Sequence, residues 1–178
     1  MSDATTFDPA TAPRMQTDTD SGTIRTTVDI AASPERVFAA LTDPQELAAW
    51  WGSDDTYRTR DWHVDARPAG KWSARTIDPW GNEGSIHGEL IVADAPHLLE
   101  CTWHASWDEA ASTTVRYELS PAIVRDAPGT RLTVTHTGFN GFVACAGPGA
   151  SHTIALRSAL ETLTHAMNTR GMLVVCAA

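Results

Sequence analysis

The 178 residues carry 13 basic and 22 acidic side chains, a formal net charge of −9. A field of that sign repels phosphate backbones and anionic lipid, so neither general nucleic-acid binding nor membrane-surface binding is expected. At this length a single domain with a tail is expected, and a composition that is 42% hydrophobic is enough for a real core. Nothing approaches the roughly 20 apolar residues of a membrane span, and residues 1–22 lack the apolar stretch of a signal peptide, so a cytoplasmic location is expected. Cys101, Cys145 and Cys176 are odd in number, widely spaced and without a CxxC, which points to reduced thiols rather than a disulfide framework or a zinc knuckle.

In chain order, residues 1–22 set Asp3, Asp8, Asp18 and Asp20 against the single base Arg14 among Thr, Ala and Pro, and read as a disordered acidic tail. TIRTTVDI (23–30) alternates, with Ile24, Val28 and Ile30 on one face, and predicts a half-buried first strand. Ser33-Pro34-Glu35 and Asp43-Pro44-Gln45-Glu46 each join a capping residue to a proline at the first helical position, predicting two short helices, the second with a D-x-x-E capping box. Period-2 runs follow near 62–67, 71–77, 84–93, 97–104, 112–120 and 130–137, separated by Pro-, Gly- and Asp-rich turns, and predict an antiparallel meander. Leu156, Ala159, Leu160, Leu163 and Met167 form a helical stripe over about 151–169 that stops at Gly171, leaving 171–178 as a C-terminal extension. The fold class expected is α+β: about seven antiparallel strands, two short helices after the first strand, and a long C-terminal helix that covers the apolar face of the sheet.

Five stretches in this order, SPERVFAALTDPQELAAWW (33–51), RPAGKW (67–72), GSIHGEL (84–90), GTRLTVTHTGF (129–139) and ALETLTHAM (159–167), resemble the START-like, helix-grip (SRPBCC) superfamily. The branch they resemble is that of homologues of the heat-shock-protein-90 ATPase activator. The resemblance implies a curved sheet gripping the long helix over residues 23–170, with a chamber between them for apolar small molecules. Where the family commonly has Gly-Trp near the start of the last helix, this chain has Ala155-Leu156, and its usual Gly-Gly before the next strand is Ala69-Gly70. Leu156 thus stands where a tryptophan normally helps line the chamber. Relatives include polyketide cyclases and aromatases, lipid and hormone binders and self-resistance proteins, so function is argued from the lining.

Seven tryptophans are many for one core. Trp50, Trp51, Trp72 and Trp103 fall at element ends or mid-strand, where they either fill the gap between helix and sheet or wall a site for a flat ligand. Trp80 and Trp107 fall in turns and are candidates for lids or partner contacts. On the last strand Leu132, Val134 and His136 share the apolar face, so His136 either makes a hydrogen bond across the gap or serves as the acid/base of a catalyst. His152 opens the last helix near the expected end of the chamber, where it either faces water at the helix terminus or contacts the ligand. His87 and Glu89 lie opposite Ile86, Leu90 and Val92 and are expected to face water. Lys71 and Arg75, and Arg116 and Glu118, read as solvated cross-strand charges. Cys101, mid-strand beside Trp103 with no base adjacent, reads as a buried, inert thiol.

No nucleophile-elbow, zinc-hydrolase, P-loop or dinucleotide motif is present in the sequence, and neither a metal nor a cofactor is expected. Three functions follow. The first is binding of a hydrophobic or aromatic small molecule through Trp50, Trp51, Trp72, Trp103, Val134, His136, His152 and Leu156, for transport, sensing or self-resistance. The second is a cofactor-independent cyclase, aromatase or dehydratase with His136 as the catalytic proton carrier. The third, a chaperone-linked interaction module, ranks last because the chain has no room for a companion domain. The expected partner is the small molecule, with a homodimer also open to the chain.

Overall fold

The computed structural model describes residues 13–18, 21–52, 54, 56–139, 161–164 and 167. One antiparallel sheet of eight strands runs in the order β1-β2-β8-β7-β6-β5-β4-β3. Its strands are β1 Arg14–Asp18, β2 Thr23–Ile30, β3 Arg58–Val64, β4 Lys71–Ile77, β5 Glu83–Asp94, β6 Leu98–Ala105, β7 Asp108–Val124 and β8 Ala127–Thr137. Helices α1 (Pro34–Thr42) and α2 (Pro44–Trp50) join β2 to β3. The fold is therefore α+β. Residues 161–164 and 167 are helical, with Leu163 and Met167 in the core. The remainder of the expected C-terminal helix, His152 and Leu156 included, lies outside the described residues, as do residues 171–178.

Both helices start at the capping residue and proline that their sequences predict. Ser33 Oγ accepts from the Arg36 amide, and Asp43 Oδ1 accepts from the amides of Gln45 and Glu46 at 2.8 and 3.2 Å. Asp43 also closes α1, its own amide donating to the Ala39 carbonyl. The Glu46 carboxylate accepts from Arg36 at 2.8 Å, a link between α1 and α2.

The sheet corrects two expectations. Residues 14–18 were expected within a disordered tail, yet they form β1, paired with β2 from Arg14↔Thr27 to Asp18↔Thr23. Without it, the outer edge of β2 would present a row of unpaired backbone groups. Asp29 of β2 helps hold the arrangement, accepting from Arg131 of β8 at 2.7 and 3.0 Å and from Arg14 of β1 at 3.4 Å. The second correction concerns Val92. The β5–β6 register slips by one residue between Leu90 and Val92, so Ile91 is exposed and Ala93, rather than Val92, packs against the core.

A similar slip shapes β3. Its register against β4 shifts between Arg60 and His63, where Asp61 takes a positive φ of 54°. Strict alternation from the buried Thr59 would carry Asp61 and His63 inward; the extra residue turns Trp62 and Val64 to the core side instead.

Candidate functional site

Trp51, Trp62, Trp72 and Trp103 form a closed ring of aromatic contacts. Centroid distances around it are 6.2 Å (Trp51–Trp62), 6.0 Å (Trp62–Trp72), 4.9 Å (Trp72–Trp103) and 5.2 Å (Trp103–Trp51). They share a pocket wall with Leu41, Thr42 and Leu47 from the helical region and with Val64, Leu90, Leu99, Cys101 and Tyr117 from the sheet. The cavity that they enclose is small, about 40 Å³.

Local structure sets each ring in place. Trp50, at the end of α2, donates its indole N–H to the Ala40 carbonyl of α1 at 2.8 Å and packs on Trp51 at 4.9 Å. The carbonyl of Trp51 accepts from Thr59 Oγ1 at 2.8 Å, and its indole N–H reaches Tyr57 Oη at 3.5 Å. The chain reverses tightly after it at Gly52, where φ is 99° and a Cβ would stand 2.2 Å from the Tyr57 carbonyl oxygen. Trp72 lies over its register partner Gly88 and donates to the Thr102 carbonyl at 3.2 Å. Trp62 owes its inward orientation to the slip at Asp61. The indole nitrogens of Trp62 and Trp103 are buried and have no hydrogen-bond partner among the described residues.

Among the described residues the lining carries no charged side chain. Burial, reinforced by the Glu100 carboxylate and partly opposed by the Trp72 indole, pushes the Cys101 thiol up to about 12. Burial also raises the Tyr117 phenol well above its ordinary value. The Thr42 hydroxyl donates back into α1, to the Phe38 carbonyl at 3.0 Å.

Of the residues singled out in the sequence, Trp51, Trp72 and Trp103 thus meet on one wall, while Trp50 buttresses it from behind Trp51. Val134 is buried in the core. His136 is 5% exposed, its Nε2 lies 2.7 Å from Thr113 Oγ1, and its ring meets the edge of Trp103 at 6.1 Å and Phe139 at 4.6 Å. It is not among the side chains lining the pocket. His87 and Glu89 face water, with His87 stacked on its register partner His104 at 5.3 Å. Arg75 pairs with Glu83 and Arg116 with Glu100, as surface charges of neighbouring strands do. Trp80 is 83% exposed, and Trp107 packs on Tyr57 beside a separate recess lined by Asp78, Glu83 and Ser106.

The sequence reading missed Trp62, Leu41, Leu47, Leu90, Leu99 and Tyr117 as lining. The apolar stripes of the helices and the inward faces of β5, β6 and β7 were signals for the aliphatic residues and Tyr117. Trp62 was not singled out, although it shares the apolar face of the expected run 62–67 with Val64, and the structure sets both against the core. Among the described residues no group of three or more His, Cys, Asp or Glu could hold a metal ion, and no helix is long and apolar enough to cross a membrane.

The family model for Activator of Hsp90 ATPase homolog 1-like proteins matches residues 31–167. No curated protein matches the chain. A solved structure from Rhodobacter sphaeroides is 22% identical, with a TM-score of 0.70 over 92% of this chain and 99% of that one. The AHSA1 protein of Silicibacter pomeroyi is 20% identical, with a TM-score of 0.69 over 83% and 99% of the two chains. A Chromobacterium violaceum protein, also 20% identical, reaches 0.68 over 82% and 97%. At such identities the likeness is one of fold.

Proposed function

The chain belongs to the Activator of Hsp90 ATPase homolog 1-like family, and from that premise we propose that it binds a hydrophobic or aromatic small molecule within the tryptophan ring, in transport, sensing or self-resistance. The observation that carries this reading is the ring itself: four indoles converge on one recess whose described lining carries no charge. With about 40 Å³ of free space, the rings must part to admit a ligand. A flat aromatic body that buries about 200 Å² of apolar surface gains about 5 kcal/mol toward that rearrangement.

A cyclase, aromatase or dehydratase with His136 as proton carrier has less support, because the imidazole is engaged by Thr113 and meets the site through its contact with Trp103. On the binding reading, His136→Ala changes ligand affinity by only about 1 kcal/mol, the scale of one hydrogen bond. A turnover that fell about 10²-fold in that variant would favour the catalyst instead.

Native mass spectrometry tests the proposal, first on freshly purified protein and then after incubation with a panel of two- and three-ring aromatics. A one-to-one adduct that is lost on unfolding supports it. A protein that forms no adduct with any member of the panel contradicts it.

A further inference from the structure

We infer that the ligand of this pocket carries a neutral carbonyl oxygen on an apolar ring skeleton, and that the indole N–H groups of Trp62 and Trp103 recognise that oxygen. This rests on the binding reading above and adds the chemistry of recognition to it.

Trp62 and Trp103 occupy opposite corners of the ring, since each touches Trp51 and Trp72. Three neighbouring indoles each have an acceptor within the chain: Trp50 on Ala40, Trp51 on Tyr57 and Trp72 on Thr102. The N–H groups of Trp62 and Trp103 have none among the described residues, although both nitrogens are buried. A buried donor without an acceptor costs stability, and both of these belong to side chains that line one pocket, so an acceptor from outside the chain is what they lack. The third such atom, Thr26 Oγ1, is on β2 and does not line the pocket.

The rest of the lining sets the charge of that acceptor. Among the described residues no Lys, Arg or His lines the recess, and the Cys101 thiol keeps its proton. A carboxylate there would be a buried charge without a counter-ion, whereas a ketone or quinone oxygen accepts from an indole N–H at no such cost. The aromatic walls then hold the skeleton while the two donors fix its orientation.

Tetralin and α-tetralone share a carbon skeleton and differ by one carbonyl, so they separate the two claims. Proton–nitrogen correlation spectra of isotope-labelled full-length protein give an indole signal for each tryptophan, and Trp62→Phe and Trp103→Phe assign the two in question. The ketone is expected to bind about tenfold more tightly than tetralin or better, and to move both signals downfield. In each variant this preference should shrink while tetralin still binds. Equal affinities, or two signals that do not respond to the ketone, overturn the inference and leave the pocket reading standing. If neither compound binds, the pocket reading fails and the inference with it. Should Trp103→Phe not fold, Trp62→Phe at the half-buried corner and the wild-type shifts still decide the matter.

Discussion

Gly88 is the register partner of Trp72, and a methyl group on it would stand 1.9 Å from the Thr102 carbonyl oxygen and 2.6 Å from the Trp72 indole nitrogen. The carbonyl is backbone and yields little, so Gly88→Ala is expected to cost about 1–3 kcal/mol in urea unfolding and to displace the Trp72 indole signal. Unchanged stability would mean that Trp72 does not lie where this ring requires. Cys101 makes a second test. Its thiol is raised from 9.0 to about 12 by burial, and Tyr57 is raised from 10.0 to about 12 for the same reason. Because the folded values lie above the unfolded ones, the stability these groups contribute is complete below about pH 9 and is lost as pH rises toward 12. In a Cys145→Ser, Cys176→Ser background, Cys101 should ignore a thiol reagent near neutral pH until denaturant unfolds the chain, and the urea midpoint should fall at alkaline pH. Rapid labelling of the folded protein would contradict its burial. The buried thiol was legible in the sequence as a cysteine mid-strand beside Trp103. The slip at Asp61 was not, since an aspartate at positive φ gives no signal as clear as a glycine, and it separates the faces of residues 58–60 from those of the run that begins at Trp62.

Asp43 ends one helix and begins the next, its carboxylate capping α2 while its amide bonds back to α1. Asp43→Ala is therefore expected to lower stability by about 1 kcal/mol, whereas Asp43→Asn, which keeps a capping oxygen, should cost much less. Thermal unfolding of the two variants measures the difference, and equal losses would argue against a capping role. These helices were readable because capping and proline placement are local chemistry. The strands β2 and β4 to β8 were readable because one face of each is buried, which imposes a period of two. The limits of β3 were not: the run expected at 62–67 is Arg58–Val64, because the slip at Asp61 breaks the alternation that marks a strand. Nor was β1, five mostly polar residues whose pairing depends on the edge of β2 and on Asp29, fifteen positions from Arg14.

For the molecule as a whole, β1 divides the N-terminal segment into parts with different expected weight. Deleting residues 1–12 should leave the melting temperature within a few degrees, since that acidic, polar composition offers little to offset the entropy of ordering. Deleting residues 1–18 removes β1 and bares the edge of β2, so a lower melting temperature and concentration-dependent association are expected in sedimentation measurements. Identical behaviour of the two truncations would show that β1 contributes nothing. The central claim, that the tryptophan ring is a ligand pocket, is tested most directly by titrating intrinsic fluorescence with a panel of apolar aromatic compounds in wild type, Trp72→Phe and Trp80→Phe. Trp72 belongs to the ring, whereas Trp80 is 83% exposed and away from it. The account predicts saturable quenching that weakens in Trp72→Phe and persists in Trp80→Phe. Emission that ignores the whole panel, or quenching lost only in Trp80→Phe, would contradict it.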